Sequence, residues 1–230
     1  AAGSPDVVPD LVVAVIGDGS LSSGLSLEGL NQAGSQKRDL VVVLNDNEWS
    51  ISQNVGALSG YLNRLMTGKF YTSFRKRVEN LLKSMPHGEF MARIARKSEE
   101  LTKGFIVPGL LFEELGFTYI GPIPGHDIDT LLGTFQNLAN LEGPVLVHVV
   151  TSKGKGYAPA ETNPEFVHGV GCFDPETGKG VGAVAGPTYT DVFGETIVSI
   201  AGENPKVVDI TAAMCSGTGL EKVRVAFPDR

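Results

Sequence analysis

The stretch from Leu11 to Asn47 constrains this chain more than any other. Two wholly apolar runs, LVVAVI over residues 11–16 and LVVVL over residues 40–44, each end in a small polar cluster, Gly17-Asp18-Gly19 and Asn45-Asp46-Asn47. Continuous runs of Val, Ile and Leu, unlike alternating ones, predict parallel strands buried on both faces of a sheet. Between them Leu21 to Ala33 reads as a helix with Gly34 as its stop. The expected fold is therefore α/β, a doubly wound and mostly parallel sheet. Ligands of such sheets bind beyond the carboxyl ends of the strands, which makes Asp18 and Asn47 the first candidates for small-molecule chemistry.

The rest of the chain repeats this grammar with one interruption. Residues 50–104 read as an excursion from the sheet: a Gly/Asn/Ser stretch from Asn54 to Gly60, then a mainly helical, charge-rich segment broken by Pro86 and Gly88. Alternation resumes with a helix over Pro108 to Leu115, a short strand at Tyr119 and Ile120, a turn from Gly121 to Gly125, and a helix over Ile128 to Asn140 capped by Asp127. A strand over Val145 to Val150 then runs into the turn Thr151 to Tyr157. Residues 1–177 thus make one domain and 178–187, rich in Gly and Ala, a linker. Residues 188–230 begin a second domain with a helix over Thr190 to Ala201, a strand over Val207 to Ile210, and a turn and helix from Gly217 to Phe227.

Charge and cysteine usage exclude several classes of function. The net charge is −7 and the 19 basic residues are scattered, which argues against nucleic acid as a partner. The longest aliphatic run is about six residues against the roughly 20 of a membrane helix, so no membrane span is expected. The two cysteines, Cys172 and Cys215, have no zinc-type spacing, and a reducing compartment is the default. The first ten residues carry no signal-peptide pattern.

Gly17-Asp18-Gly19 departs from a dinucleotide fingerprint, because Ser22 stands where that pattern needs Gly or Ala. An Asp here repels a bare pyrophosphate but attracts one through Mg²⁺, which takes about six oxygen ligands from carboxylate, carbonyl, water and phosphate. A Gly-Asp-Gly turn with a capping Asp satisfies the same three residues. About 25 residues separate Gly19 from Asn45, and this spacing into a strand that ends in Asn resembles the motif of thiamine-diphosphate-dependent enzymes. That resemblance implies Mg²⁺ ligation by Asp18, Asn47 and the backbone carbonyl of Trp49.

Further motifs narrow it. NDNEWSIS with NVGAL, VPGLLFEELGF with YIGPIPGHD, GPVLVHVVTSKGKGYAPAE, His168 with FDPETG, and DITAAM, SGTGL and FPDR together resemble the 1-deoxy-D-xylulose-5-phosphate synthase family of the transketolase group over nearly the whole chain. The resemblance implies a transferase that condenses pyruvate with D-glyceraldehyde 3-phosphate and releases CO₂, in isoprenoid, thiamine and pyridoxal precursor synthesis. It implies thiamine diphosphate and Mg²⁺ as cofactors, a homodimer in the complete protein, and a bacterial-type cytoplasmic setting, with a plastid location left open. Residues 1–177 become the diphosphate-binding domain and 188–230 the start of a pyrimidine-binding domain. Another transketolase-type activity, or a non-catalytic metal/diphosphate-binding module, are the alternatives.

By motif position the resemblance implies diphosphate contacts for Gly19 and Ser20, a cofactor contact for Tyr157, diphosphate charge compensation by Lys153, and a catalytic role for His168 on the substrate side. The bland readings are a surface lysine in a tight turn, a packed ring and an ordinary loop histidine. His126 belongs to the turn before its helix, and His87 and His148 are given no function. Trp49 stands where the family commonly has Met, and Pro124 where it has Asp. The family's upstream histidines and the Glu that follows its FPDR motif do not occur in this sequence, so the 230 residues alone are expected to be inactive.

Overall fold

In the computed structural model, which describes residues 12–67, 109–138, 141–182 and 186–230, the two apolar runs are strands β1 (Val12–Gly17) and β2 (Leu40–Asp46). Between them lie a single turn, α1 (Asp18–Leu21), and the longer α2 (Gly24–Gln36). Then come α3 (Ala57–Thr67), α4 (Leu110–Glu114), β3 (Thr118–Pro124), α5 (Ile128–Leu138) and β4 (Pro144–Val150). These elements form one compact unit, running through Glu48 and then Val55–Thr151; Trp49–Asn54 with Ser152–Arg230 form a second. The charged part of the expected excursion, from residue 68 onward, lies outside the described residues. Among the described residues no helix is long and apolar enough to cross a membrane.

The sheet of the first unit is wholly parallel, in the order β1-β2-β4-β3. Alternate side chains of its central strands feed two cores. Val42, Leu44 and Leu146 pack on one face with Leu21, Leu30, Leu62, Leu65, Phe112 and Phe117. Val41, Val145, Val147 and Val149 pack on the other with Ile123 and Leu138. Each such side chain contributes about 1.5–3 kcal/mol on burial, so the apolar runs of β2 and β4 account for the sheet's cohesion. Edge strand β1 departs from the expected two-sided burial: Val12, Val13 and Val15 are exposed among the described residues.

Three local expectations are corrected. Gly34 does not stop α2, which continues to Gln36 and ends with Lys37 in the left-handed region at φ 51°. Its role is contact: a Cβ at position 34 would lie 1.7 Å from the carbonyl oxygen of Leu115, just after α4. Residues 121–124 continue β3 past a register irregularity and do not form a turn; Gly121 has φ 139° and a Cβ there would lie 2.6 Å from the His148 carbonyl oxygen. Pro122 is tolerated because it falls in that irregularity, between the paired Ile120 and Ile123, where no ladder bond requires its N–H. Finally, α3 starts at Ala57, so Gly60 is helical. Asp127 caps α5 as expected, accepting from the Thr130 backbone N–H (3.1 Å) and hydroxyl (2.7 Å).

In the second unit the Gly-rich turn after β4 leads to α6 (Ala158–Thr162) and a 3-10 turn over Phe166–Gly169. Asp174 then closes a loop by accepting from Glu176 N–H and the Thr177 hydroxyl, both at 2.9 Å, which holds its carboxyl below the usual carboxylate range. Helix α7 (Tyr189–Glu203) begins with a reciprocal capping box between Thr188 and Asp191. It packs against α8 (Glu221–Ala226), where Gly194 lets the backbone of Gly219 approach. Arg230 donates to the Ala201 carbonyl at 2.9 Å and lies over the Phe227 ring. The expected strand at Val207–Ile210 does not form. Among the described residues no strand pairs with it, its backbone bond at Asp209 goes to the Arg230 carbonyl, and Ile210 is 94% exposed.

Gly34→Ala is expected to destabilise the first unit by about 1–3 kcal/mol, as overpacking does. Gly29→Ala, in the same helix with open space at its Cβ, is expected to stabilise it by about 0.4–1 kcal/mol. Urea unfolding midpoints of the two variants would check the contrast.

Candidate functional site

The β1/β2 register sets the geometry of the first unit's sheet edge. Gly17 is the partner of Asn45, so Asp18 and Asn47 follow the last paired residues of two adjacent parallel strands. Asp18 opens α1 and is 7% exposed, a carboxylate largely withdrawn from water; Gly19 and Ser20 follow it in that turn. Asn45 and Asp46 are engaged with the sheet. The Thr151 hydroxyl donates to Asn45 Oδ1 at 2.7 Å, and Thr151 N–H donates to the Asp46 carbonyl at 2.8 Å. Asn47 is half-buried beyond them.

Behind this edge lies a network that sequence reasoning missed. His148, on β4, is 0% exposed; its Nε2 is 2.9 Å from Asp46 Oδ2 and its Nδ1 is 2.7 Å from the Tyr119 hydroxyl. Burial pushes the Tyr119 phenol up, with Tyr61, Asp46 and Glu113 adding to the effect. The phenol therefore keeps its proton and donates it to Nδ1, which leaves Nε2–H to donate to the carboxylate. The available signal was a histidine in the middle of an apolar strand, PVLVHVV, where an imidazole needs buried partners on both nitrogens.

The remaining predicted residues belong to the second unit. Lys153 donates to the Ser50 carbonyl and, at 3.0 Å, to His168 Nδ1. An ammonium has no acceptor, so Nδ1 of His168 accepts and a neutral ring carries its proton on Nε2, the opposite side. His168 itself is exposed at the end of the 3-10 turn. The Tyr157 hydroxyl donates to the Pro175 carbonyl at 2.9 Å and its ring leans against Phe173. Trp49 is half-buried and bridges to Gln53. Lys153 and His168 are thus brought together, while Tyr157 is tied to the Asp174 loop. His126 is exposed in the turn before α5.

A wholly parallel sheet flanked by helices, with a largely buried acid and a carboxamide just past adjacent strand ends, defines a protein of the α/β class, in which ligands characteristically bind beyond such strand ends. The family model described as 1-deoxy-D-xylulose-5-phosphate synthase matches residues 6–151. Curated relatives of that name include the Syntrophus aciditrophicus protein, 55% identical over 223 residues, and the Thiobacillus denitrificans protein, 50% identical over 218. A Geobacter sulfurreducens relative, 1-deoxy-D-xylulose-5-phosphate synthase 1, is 54% identical over 221 residues. Each match covers 95% of this chain and 34–35% of the relative, so the chain spans about a third of their length. The chain belongs to the 1-deoxy-D-xylulose-5-phosphate synthase family.

The Tyr119 shift carries a stability consequence with a definite sign. An unfolded tyrosine loses its proton near pH 10 while the folded one keeps it, so the contribution is complete below about pH 10 and lost as pH rises above it. Tyr119→Phe is expected to remove this part of the alkaline loss. Urea unfolding of both proteins from about pH 9 to about pH 11 would show a shallower decline in the variant.

Proposed function

We propose that this chain holds the diphosphate of thiamine diphosphate through Mg²⁺ at the carboxyl ends of β1 and β2. It does so as part of a transferase that joins pyruvate to D-glyceraldehyde 3-phosphate with loss of CO₂. The observation that carries this reading is the pairing of Gly17 with Asn45, which sets the largely buried Asp18 and the carboxamide of Asn47 beyond neighbouring strand ends. This donor set fits Mg²⁺ bound mainly by neutral oxygens and phosphate. Open space at the Cβ position of Gly17 suits the approach of a bulky anion.

In this reading Asp18, Asn47 and the Trp49 carbonyl are the protein's metal ligands, and Gly19 and Ser20 contact the diphosphate. The bound cofactor supplies the carbon nucleophile; the protein positions it and manages protons. The family resemblance gives Lys153 the compensation of diphosphate charge, and Lys153 also orients His168 by donating to its Nδ1. His168 then presents Nε2–H to an oxygen of the substrate on which negative charge develops. Tyr157 contributes its ring to the cofactor while its hydroxyl stays on Pro175. Family membership extends the reading to a homodimeric enzyme of the bacterial cytoplasm, with residues 1–177 as diphosphate-binding domain, 178–187 as linker and 188–230 in a pyrimidine-binding domain.

Calorimetric titration with thiamine diphosphate in the presence and absence of Mg²⁺ tests the metal assignment. Asp18→Ala is expected to weaken the Mg²⁺-dependent affinity by about 100-fold. Equal affinity in the parent and the variant would remove Asp18 from the ligand set.

A further inference from the structure

Asp46 lies between Asn45 and Asn47, yet its side chain turns away from the sheet edge into the protein and is 1% exposed. Both of its oxygens have protein donors. Oδ2 accepts from His148 Nε2 at 2.9 Å, and Oδ1 accepts from the backbone N–H of Glu48 at 3.3 Å. Glu48 has φ 64°, a conformation that residues with a side chain seldom adopt and that a local hydrogen bond from an Asp can hold in place. The Glu48 carboxylate is itself anchored, accepting from Asn63 Nδ2 on α3 at 2.7 Å. The residue gripped on both sides is the one that follows Asn47.

The grip is rigid because it is built on strands. His148 stands on β4, which pairs with both β2 and β3. Tyr119, on β3, donates to His148 Nδ1 and stacks on Phe112 with centroids 5.8 Å apart and planes 1° from parallel. A buried acid-histidine pair is poorly explained as a source of stability, since apolar residues of similar volume commonly do as well. Orientation of an adjoining ligand is the better account of such a pair, as in the outer partners of metal sites.

We infer that Tyr119, His148 and Asp46 form a buried positioning relay that holds the Glu48 backbone in its left-handed turn and thereby aims Asn47 at the cation-diphosphate site. The inference rests on the proposed role of Asn47 as a metal ligand. None of the three residues touches cofactor or substrate; each acts through the next.

Trp49 is the only tryptophan of the chain and stands two residues beyond Asn47, so its fluorescence is a natural reporter. The full 230-residue chain is titrated with Mg²⁺ at fixed thiamine diphosphate, with far-UV circular dichroism to verify folding. Asp46→Ala and Glu48→Val are each expected to raise the Mg²⁺ concentration at half-saturation by about 10- to 100-fold. Asp46→Asn is expected to stay within about threefold of the parent, because its carboxamide oxygen still accepts from Glu48 N–H while His148 exchanges tautomer. That rescue is not expected of a carboxylate acting as a metal ligand or only as a charge.

Parent-like binding by Asp46→Ala and Glu48→Val, with binding lost in Asp18→Ala, overturns the relay and leaves the cation site standing. Parent-like binding by Asp18→Ala overturns the cation site and the relay with it. Should Asp46→Ala fail to fold, Glu48→Val decides alone, since it leaves Asp46, His148 and Tyr119 in place while disfavouring the left-handed backbone and removing the Asn63 contact, the two holds on the turn.

Discussion

The first unit depends on the backbone pairing of β2, which is bonded to β4 over its whole length on one side and to β1 from Leu40 to Asn45 on the other. A strand so placed has its N–H and C=O groups satisfied within the sheet and its side chains inside one core or the other. Polar chemistry is thereby driven past the last paired residue. Because the strands are parallel and in register, these exits lie side by side, and Asp18 and Asn47 owe their neighbouring positions to that pairing.

The second unit solves a different problem, since its functional candidates lie on turns instead of strand ends. There, order comes from side chains that hold backbone carbonyls. Lys153 holds Ser50, Tyr157 holds Pro175, and Arg230 holds Ala201. A loop pinned at such points keeps a side chain like His168 in a defined orientation while leaving it exposed. The charge of Lys153 matters less here than its being a pure donor, which settles how the imidazole presents itself.

The strands, the cap at Asp127 and the sheet edge were legible because they rest on local signals: apolar runs, a short acceptor before a helix, and polar clusters at run ends. The failures share one cause, which is that a glycine or apolar run takes its meaning from what lies opposite. Gly34 read as a stop but serves a backbone contact with Leu115; Gly121 read as a turn but lies in a strand against His148. Val207 to Ile210 had the composition of a strand and, among the described residues, no strand beside it. At the candidate site, motif order pointed to Asp18, Asn47, Lys153 and His168. The bond from Lys153 to His168 and the burial of His148 against Asp46 depend on three-dimensional neighbours, which no spacing along the chain reveals.

The Tyr119, His148 and Asp46 network also constrains how this region can drift over generations. Removing a single member leaves a buried donor or acceptor without its partner, whereas exchanging the whole set for apolar residues of similar volume can be nearly neutral for folding. Three positions distant in sequence, one on each of three strands, are thus expected to lose their polar groups together or not at all among relatives, an exchange that keeps the acceptor, such as Asp to Asn at position 46, being the tolerated single change. Whether a relative retains all three would then distinguish sequences under selection for the strand-end turn from those that merely preserve the sheet.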